Sequence, residues 1–370
     1  MKTLTPPVTL TPLPGFPEVR EGDDVAEILL AVLQRNEIQL MDGDILVVSS
    51  KVVSKAMGLR APTGEQADVV VSQTVRIVAE RMTPSGVTRI VESAAGPVMT
   101  AAGVDASNTA DQSIVLLLPD DPDAVAAQIQ DRLQAGWLTQ SGTPVLAGVI
   151  LSDTAGRPWR NGQTDFALGA SGIRVIDDLR GSTDANGRIL SVTERCVADE
   201  IAAAADLVKG KATGVPAAHI RGLGQYVRDG EFIQDGESLP GARDLIRTGP
   251  QDWFGYGMVE AVRAALGVEP GSAAASEVGI PFIYPEDVTT RAGRALRVAL
   301  LACPDATGEI DGDTITLVTP DDFTLGVAAT RAEVALRGER LSTTLTRSPA
   351  PTRPKDGPLT FRPCVLIVFQ

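Results

Sequence analysis

Three short runs, ILVVSS (45–50), SIVLLLP (113–119) and PVLAGVILSD (144–153), are apolar through their centres rather than at alternate positions. A strand with one solvated face alternates; runs like these read as strands buried inside a sheet that helices must cover. The helices are legible too. GDDVAEILLAVLQRN (22–36) has apolar residues at helical spacing and opens on two aspartates, where the helix dipole favours negative charge. DPDAVAAQIQDRLQAG (121–136) opens on Asp and closes on Gly, and TERCVADEIAAAADLV (193–208) is a strong helix. AAHIRG (217–222) reads as a strand, and the stretch near 72–82 as helical, ahead of two short strands in TRIVES and GPVMTAAG. Strands and helices alternate imperfectly, so the expected fold is α/β with a mixed sheet rather than a purely parallel one.

At 370 residues and 38.7 kDa, the chain is too long for one ordinary domain, and two are expected. The first covers residues 1–245 and the second, a smaller α/β domain, residues 250–370, with the polar, glycine-rich stretch 226–250 between them. In the second unit GMVEAVRAALG (257–267) is an amphipathic helix. PEDVTTRAGRALRVALLAC (285–303), TITLV (314–318), DDFTLGVAATRAEVALRG (321–338) and LTFRPCVLIVFQ (359–370) alternate helix and strand, interrupted by a Ser/Pro/Arg tract at 347–358. No apolar run approaches the roughly 18 residues that a membrane span needs. The first residues carry one lysine, several prolines and no apolar centre, so a secretory signal is not expected and a cytoplasmic location is. A net charge of −14 argues against nucleic-acid and anionic-membrane partners. An anionic ligand would have to be held locally, by a few well-placed cations and backbone N–H groups.

Residue counts exclude further chemistries. The chain has one histidine, His219, so multi-histidine zinc sites are impossible within it, and its apolar surroundings favour a structural role. Cys196, Cys303 and Cys364 are far apart and form no CxxC pair. Of 33 basic residues only six are lysines, and four of those form two tight pairs, Lys51 with Lys55 and Lys209 with Lys211, beside Ser and Gly. Phosphate binding and a solvated face explain such pairs equally well on count alone.

Four segments carry candidate chemistry. AAGVDASN (101–108) sets Asp105 and Asn108 in a loop before an apolar strand, and SDTAGRPWRNGQTD (152–165) begins where the most apolar strand ends. Ligands collect at the carboxyl ends of strands in α/β sheets, which makes Asp153 and Thr154 candidate oxygen ligands for a hard cation such as Mg²⁺. Taken singly, Asp105 and Asp153 read first as turn or cap residues. Arg157 and Arg160 follow Asp153 at short spacing; guanidiniums beside a metal site can neutralise a transferring phosphoryl group or hold a carboxylate, and a solvated arginine loop is the alternative. VKGKATGVP (208–216) joins glycines, which let backbone approach phosphates, to lysines, although no GxxxxGKS or GxxxxGKT loop occurs. LPGFPEVREGDD (13–24) and VVSSKVVSK (47–55) are compatible with a triphosphate cradle, whereas Asp177, Asp178 and Arg180 in DDLRG read as a surface turn.

LPGFPEVREGDD, DGDILVVSSKVVSKAMG, AAGVDASN, LLLPDDPD, SDTAGRPWRNGQTDFALG, DDLRG, VADEIAAAADLVKGK and GVPAAHIRG occur in that order. Together, over about residues 12–225, they closely resemble the coenzyme F420-0:L-glutamate ligase family of the CofE type. The resemblance implies a CofE-like ligase fold and a homodimer. It implies a GTP-dependent ligase that joins L-glutamate to coenzyme F420-0, then glutamate to glutamate through γ-linkages, releasing GDP and phosphate. Mg²⁺ or Mn²⁺ is implied as cofactor, helped by K⁺. By motif position, Asp105, Asp153 and Thr154 fall on the metal ligands; Phe16, Pro17, Glu18, Val19, Ser50, Lys51, Lys55, Asn108, Lys209, Gly210, Lys211, Gly214 and Val215 fall on the GTP-contacting segments. Asp105, Asp153, Arg157 and Arg160 are the catalytic candidates. A carboxylate must be activated before an amine attacks it, and an acyl phosphate would do this without a histidine or cysteine nucleophile. A related ligase or phosphotransferase with another acyl acceptor, and a non-catalytic scaffold, are the competing readings. The resemblance ends before the tail, for which neither flavin nor metal is expected.

Overall fold

The computed structural model describes residues 7–109, 111–228, 241–352 and 360–370. Part of the expected linker, 229–240, and part of the Ser/Pro/Arg tract, 353–359, lie outside the described residues. The chain divides into two compact units, Met1–Val75 with Glu92–Thr248 and Arg76–Val91 with Gly249–Gln370.

The first unit is built on a five-stranded sheet in the order Thr9–Pro12, Ala217–Arg221, Ile45–Ser49, Gly148–Arg157, Arg160–Ser171. Ile45–Ser49 runs parallel to Gly148–Ser152, and every other pairing is antiparallel, so the sheet is mixed. The apolar run of Ile45–Ser49 is buried on both faces, as its composition demands. Leu46 and Val48 join Val149 and Leu151 under the helices Val25–Arg35 and Pro122–Ser141. Ile45 and Val47 join Ile150 and Ala218 under Val197–Lys209 on the other side. Leu46, Ile45, Ile150 and Leu151 have no exposed surface, and truncating any one to Ala would cost about 2–5 kcal/mol.

Local chemistry sets the helix ends. Asp24 caps Val25–Arg35 by accepting from the N–H groups of Ala26 and Glu27 at 2.8 and 3.2 Å. Asp121 caps Pro122–Ser141, which has Pro at its first position. That helix passes Gly136, where the sequence pattern ends it, and stops at Gly142, whose φ is +72°. Gly136 is there for another reason: a Cβ at this position would lie 2.4 Å from Leu30 Cδ1 of the facing helix. The stretch near 72–82 is likewise not a helix. Thr74–Thr83 is a strand that turns back into Gly86–Ser93. Val75, Ile77 and Val78 are β-branched and suit that pairing better than a helix.

In the second unit the sheet order is Thr307–Asp311, Thr314–Val318, Thr360–Phe369, Thr343–Thr352, all antiparallel. Ile315, Leu317, Ile367 and Phe369 pack with Ala292, Ala299, Ala328 and Leu336 of the helices Val288–Leu300 and Asp322–Gly338 in one core. The hairpin residues 76–91 take their partners from the same unit. Arg76 pairs with Asp252 at 3.2 Å, Val78 accepts from Gly257 N at 2.9 Å, and Arg81 pairs with Glu260. Glu80 and Glu260 are both buried, and Glu260 Oε1 accepts from the Glu80 N–H at 3.2 Å. A chain ending at residue 248 would therefore strip the hairpin of these partners. It is expected to be less soluble, and to melt lower, than the full chain; equal melting and solubility would show that the hairpin does not need residues 249–370.

His219 lies in the central sheet, 2.8 Å from Asp44 Oδ2, in a close contact that is not an aligned hydrogen bond. Arg221 donates to both Asp44 oxygens at 2.9 and 2.7 Å, and Met41 N donates at 2.9 Å. Burial alone would raise this carboxyl, but Arg221, His219 and the Met41 amide outweigh it and bring it to about 2. Its value in the fold is below the unfolded one, so its contribution to stability is present above about pH 4 and is lost as pH falls through 2. The loss amounts to about 2 kcal/mol. Urea midpoints at pH 6 and pH 2 should show a smaller acid loss for Asp44→Asn than for the parent; equal losses would remove Asp44 from the acid limb.

Candidate active site

The parallel pairing stops at Ser49 and Ser152, which sets Ser50 beside Asp153 while Gly148–Arg157 runs on against Arg160–Ser171. Ser50 Oγ donates to Asp153 Oδ1 at 3.1 Å. The chain after Ser49 turns directly into the helix Ser50–Ala56, where Lys51 and Lys55 stand four residues apart on one face. Lys51 Nζ lies 2.6 Å from Asp105 Oδ2 and donates to Ser107 Oγ at 2.7 Å. Lys55 Nζ lies 2.6 Å from Glu18 Oε1. Both members of this lysine pair are therefore directed at loops that sequence reading singled out, and neither lies on a freely solvated face.

A cavity of about 500 Å³ opens at these strand ends. Phe16, Pro17, Glu18 and Val19 line one part of it; Lys51, Lys55, Asn108, Asp153 and Thr154 another; Lys209, Gly210, Lys211, Gly214 and Val215 a third. Ser50 and Asp105 are not in the wall, and join it through Asp153 and Lys51. Arg157 and Arg160 sit apart, exposed at the turn between Gly148–Arg157 and Arg160–Ser171. Asp178 and Arg180 pair with each other at 2.7 Å on the surface.

Backbone conformation shapes two of these loops. Gly210 and Gly214 have φ of +67° and +69°, the left-handed region, and a Cβ on Gly210 would also crowd the Thr213 methyl at 3.0 Å. Ahead of Asp105, Ala101, Ala102 and Gly103 are left-handed in succession, with φ of +51°, +54° and +76°. Alanine pays about 1–2 kcal/mol for each such residue, strain of a kind that gathers at functional loops.

Asp165 and Asp206 also line the cavity, and sequence reading did not pick them out as site residues. The signal for Asp165 is in the hairpin register, which pairs it with Thr154 across two antiparallel strands. Thr154 Oγ1 donates to Asp165 Oδ1 at 2.7 Å and Ser152 Oγ to Asp165 Oδ2 at 2.9 Å. Lys209, almost fully buried, donates to Asp165 Oδ2 at 2.6 Å and to Ser152 Oγ at 2.7 Å. Lys211 Nζ reaches Thr154 Oγ1 at 3.3 Å.

The carboxyls differ in how tightly they hold a proton. Burial would raise Asp165, but Lys209, Thr154 and Ser152 outweigh it and hold it low. For Asp105, Lys51 and the Ser107 amide likewise outweigh burial. At Asp153 burial wins over the Thr154 amide, Ser50 and Lys51, and the carboxyl is pushed up to about 6 although its residue keeps partial solvent access. Among the described residues no three His, Cys, Asp or Glu side chains cluster closely enough to hold a metal by themselves. The donors present are carboxylate and hydroxyl oxygens, a set that fits Mg²⁺ or Mn²⁺ when substrate phosphates complete the shell. A carboxyl whose desolvation outweighs the pull of its neighbouring cation, as at Asp153, is the group that such an ion would hold ionised.

A value raised by folding makes the protein lose stability as pH climbs from about 4 to 6, because the unfolded chain releases the proton first. Asp153→Asn removes that cost. In metal-free buffer at pH 8 the variant should melt above the parent, and at pH 4 the two should differ little. A variant that melts lower at pH 8 would refute the buried-charge reading of Asp153.

The sequence model of the F420-0:gamma-glutamyl ligase family matches residues 15–222. The coenzyme F420:L-glutamate ligase of Archaeoglobus fulgidus is 38% identical over 233 residues, covering 58% of this chain and 88% of that protein. The proteins of that name from Halorubrum lacusprofundi and Haloarcula marismortui are each 34% identical, covering 60% and 65% of this chain and 86% and 95% of their own lengths. The chain belongs to the F420-0:gamma-glutamyl ligase family, and it is a ligase. No helix among the described residues is long and apolar enough to cross a membrane.

Proposed function

We propose that this chain forms the amide bond between coenzyme F420-0 and L-glutamate, then γ-linkages to further glutamate, using GTP and releasing GDP and phosphate. One observation carries the reading. Residues from segments as far apart as Phe16–Val19, Lys51–Lys55, Asn108, Asp153–Thr154 and Lys209–Val215 line a single cavity, and all five are among the segments that the family resemblance assigns to nucleotide and metal; Ser50 and Asp105 adjoin it through Asp153 and Lys51. In the proposed reaction a carboxylate oxygen of the acceptor attacks the γ-phosphorus and GDP leaves. The glutamate nitrogen then attacks the acyl carbon, phosphate leaves, and the nitrogen gives up a proton. Lys51, Lys55 and Lys211 offset charge on the triphosphate, while the left-handed glycines let backbone N–H groups approach it. Asp105, Asp153 and Thr154 would hold Mg²⁺ or Mn²⁺, which when bound supplies charge neutralisation at the phosphates. K⁺ as a helper ion, a homodimer and a cytoplasmic place of work belong to the same proposal, on the strength of the family resemblance.

Asp153→Asn is expected to lower turnover at least about 100-fold with an unchanged circular dichroism spectrum. The assay incubates the protein with precursor, GTP, Mn²⁺ and glutamate and reads product mass; near-normal ligation would overturn the metal assignment. Lys55→Ala and Lys211→Ala should each weaken GTP binding more than acceptor binding by calorimetry, and unchanged GTP affinity would remove those lysines from the nucleotide site.

A further inference from the structure

The buried carboxylate of Asp165, in the cavity wall, accepts from three side chains at once: Thr154 at 2.7 Å, Ser152 at 2.9 Å and Lys209 at 2.6 Å. A carboxylate only accepts, so it dictates where the protons of its neighbours point. The Thr154 proton is spent on Asp165 Oδ1, and the lone pairs of Thr154 Oγ1 are what remains for any other contact. One of these already takes the Lys211 ammonium at 3.3 Å. Ser152 is polarised in the same sense, donating to Asp165 and accepting from Lys209 at 2.7 Å. The Lys209 ammonium is thereby committed inward, with only 4% of its side chain exposed, and is not a free phosphate contact.

We propose that Asp165 is a positioning residue that orients Thr154 as an acceptor, so that Thr154 binds a cation and cannot donate to a phosphate oxygen. This rests on the metal-dependent ligase reading. It adds an agent, Asp165, that touches neither nucleotide nor ion and acts through Thr154. Outer partners of this kind are worth about 10–100-fold in metal affinity when removed. In Asp165→Asn the carboxamide can turn its NH₂ toward Thr154, which would then point its proton outward.

The test is Mn²⁺ titration of the full chain, with GDP present, read by electron paramagnetic resonance. Asp165→Asn should bind Mn²⁺ about 10–100-fold more weakly than the parent. In a Thr154→Val background the same substitution should add less than about twofold, because the residue through which it acts is gone. Since Asp165→Asn strands a buried ammonium, Asp165→Asn/Lys209→Met is the second variant, which removes both charges and should show the same loss of Mn²⁺. Parent-like Mn²⁺ affinity in either folded variant, or full additivity with Thr154→Val, overturns the role of Asp165 and leaves the ligase reading standing. A parent protein that binds no Mn²⁺ in this assay while ligating overturns the metal reading and this inference with it.

Discussion

The parallel pairing of Ile45–Ser49 with Gly148–Ser152 is the contact on which the rest of the site depends. Two strands that run the same way point their carboxyl ends to the same edge, and here their pairing finishes on Ser49 and Ser152. The next residues are then neighbours without any further device: Ser50 opens the helix with the paired lysines, and Asp153 opens the outer hairpin. Had the two strands been antiparallel, Lys51 and Asp153 would stand at opposite ends of the sheet. The burial of both faces of Ile45–Ser49 secures this pairing, since a one-residue slip would exchange every side chain between the two cores.

The cavity balances charge by pairing rather than by excess. Lys51 is answered by Asp105, Lys55 by Glu18, and Lys209 by Asp165. In a chain of net charge −14, this arrangement keeps the cations in place without an anion present. A bound polyanion would compete with Glu18 and Asp105 for partly accessible lysines. It has no such access to Lys209, which has almost no exposed surface. The site thus contains both exchangeable and fixed ion pairs.

Much of this was legible in the sequence. The doubly buried strand 45–49, the Asp-capped helices and the strand at 217–221 follow from periodicity and end chemistry. The cavity-lining segments follow from motif order. What periodicity could not supply was register and close approach. Residues 74–83 carry an apolar pattern that fits either element, and their pairing with 86–93 decides for strand. Gly136 reads as a helix stop until the facing Leu30 is known. Asp165 is one more surface aspartate until the hairpin sets it against Thr154. The direction of the Lys209 ammonium is equally a tertiary fact, invisible in a Gly/Lys loop.

The assignment of residues 76–91 to the second unit has a consequence for biosynthesis. The hairpin leaves the ribosome early, yet its partners Asp252, Gly257 and Glu260 lie more than 150 positions later, and Thr360–Phe369 of the second unit's four-stranded sheet is nearly the last strand to emerge. At about 5–20 residues per second, the interval is on the order of tens of seconds. Throughout it Ile77, Val78 and Met82 sit in a β-rich hairpin that lacks these later partners. Arg76, Glu80 and Arg81, interleaved among them, keep charges on that nascent segment and so oppose its pairing with other chains.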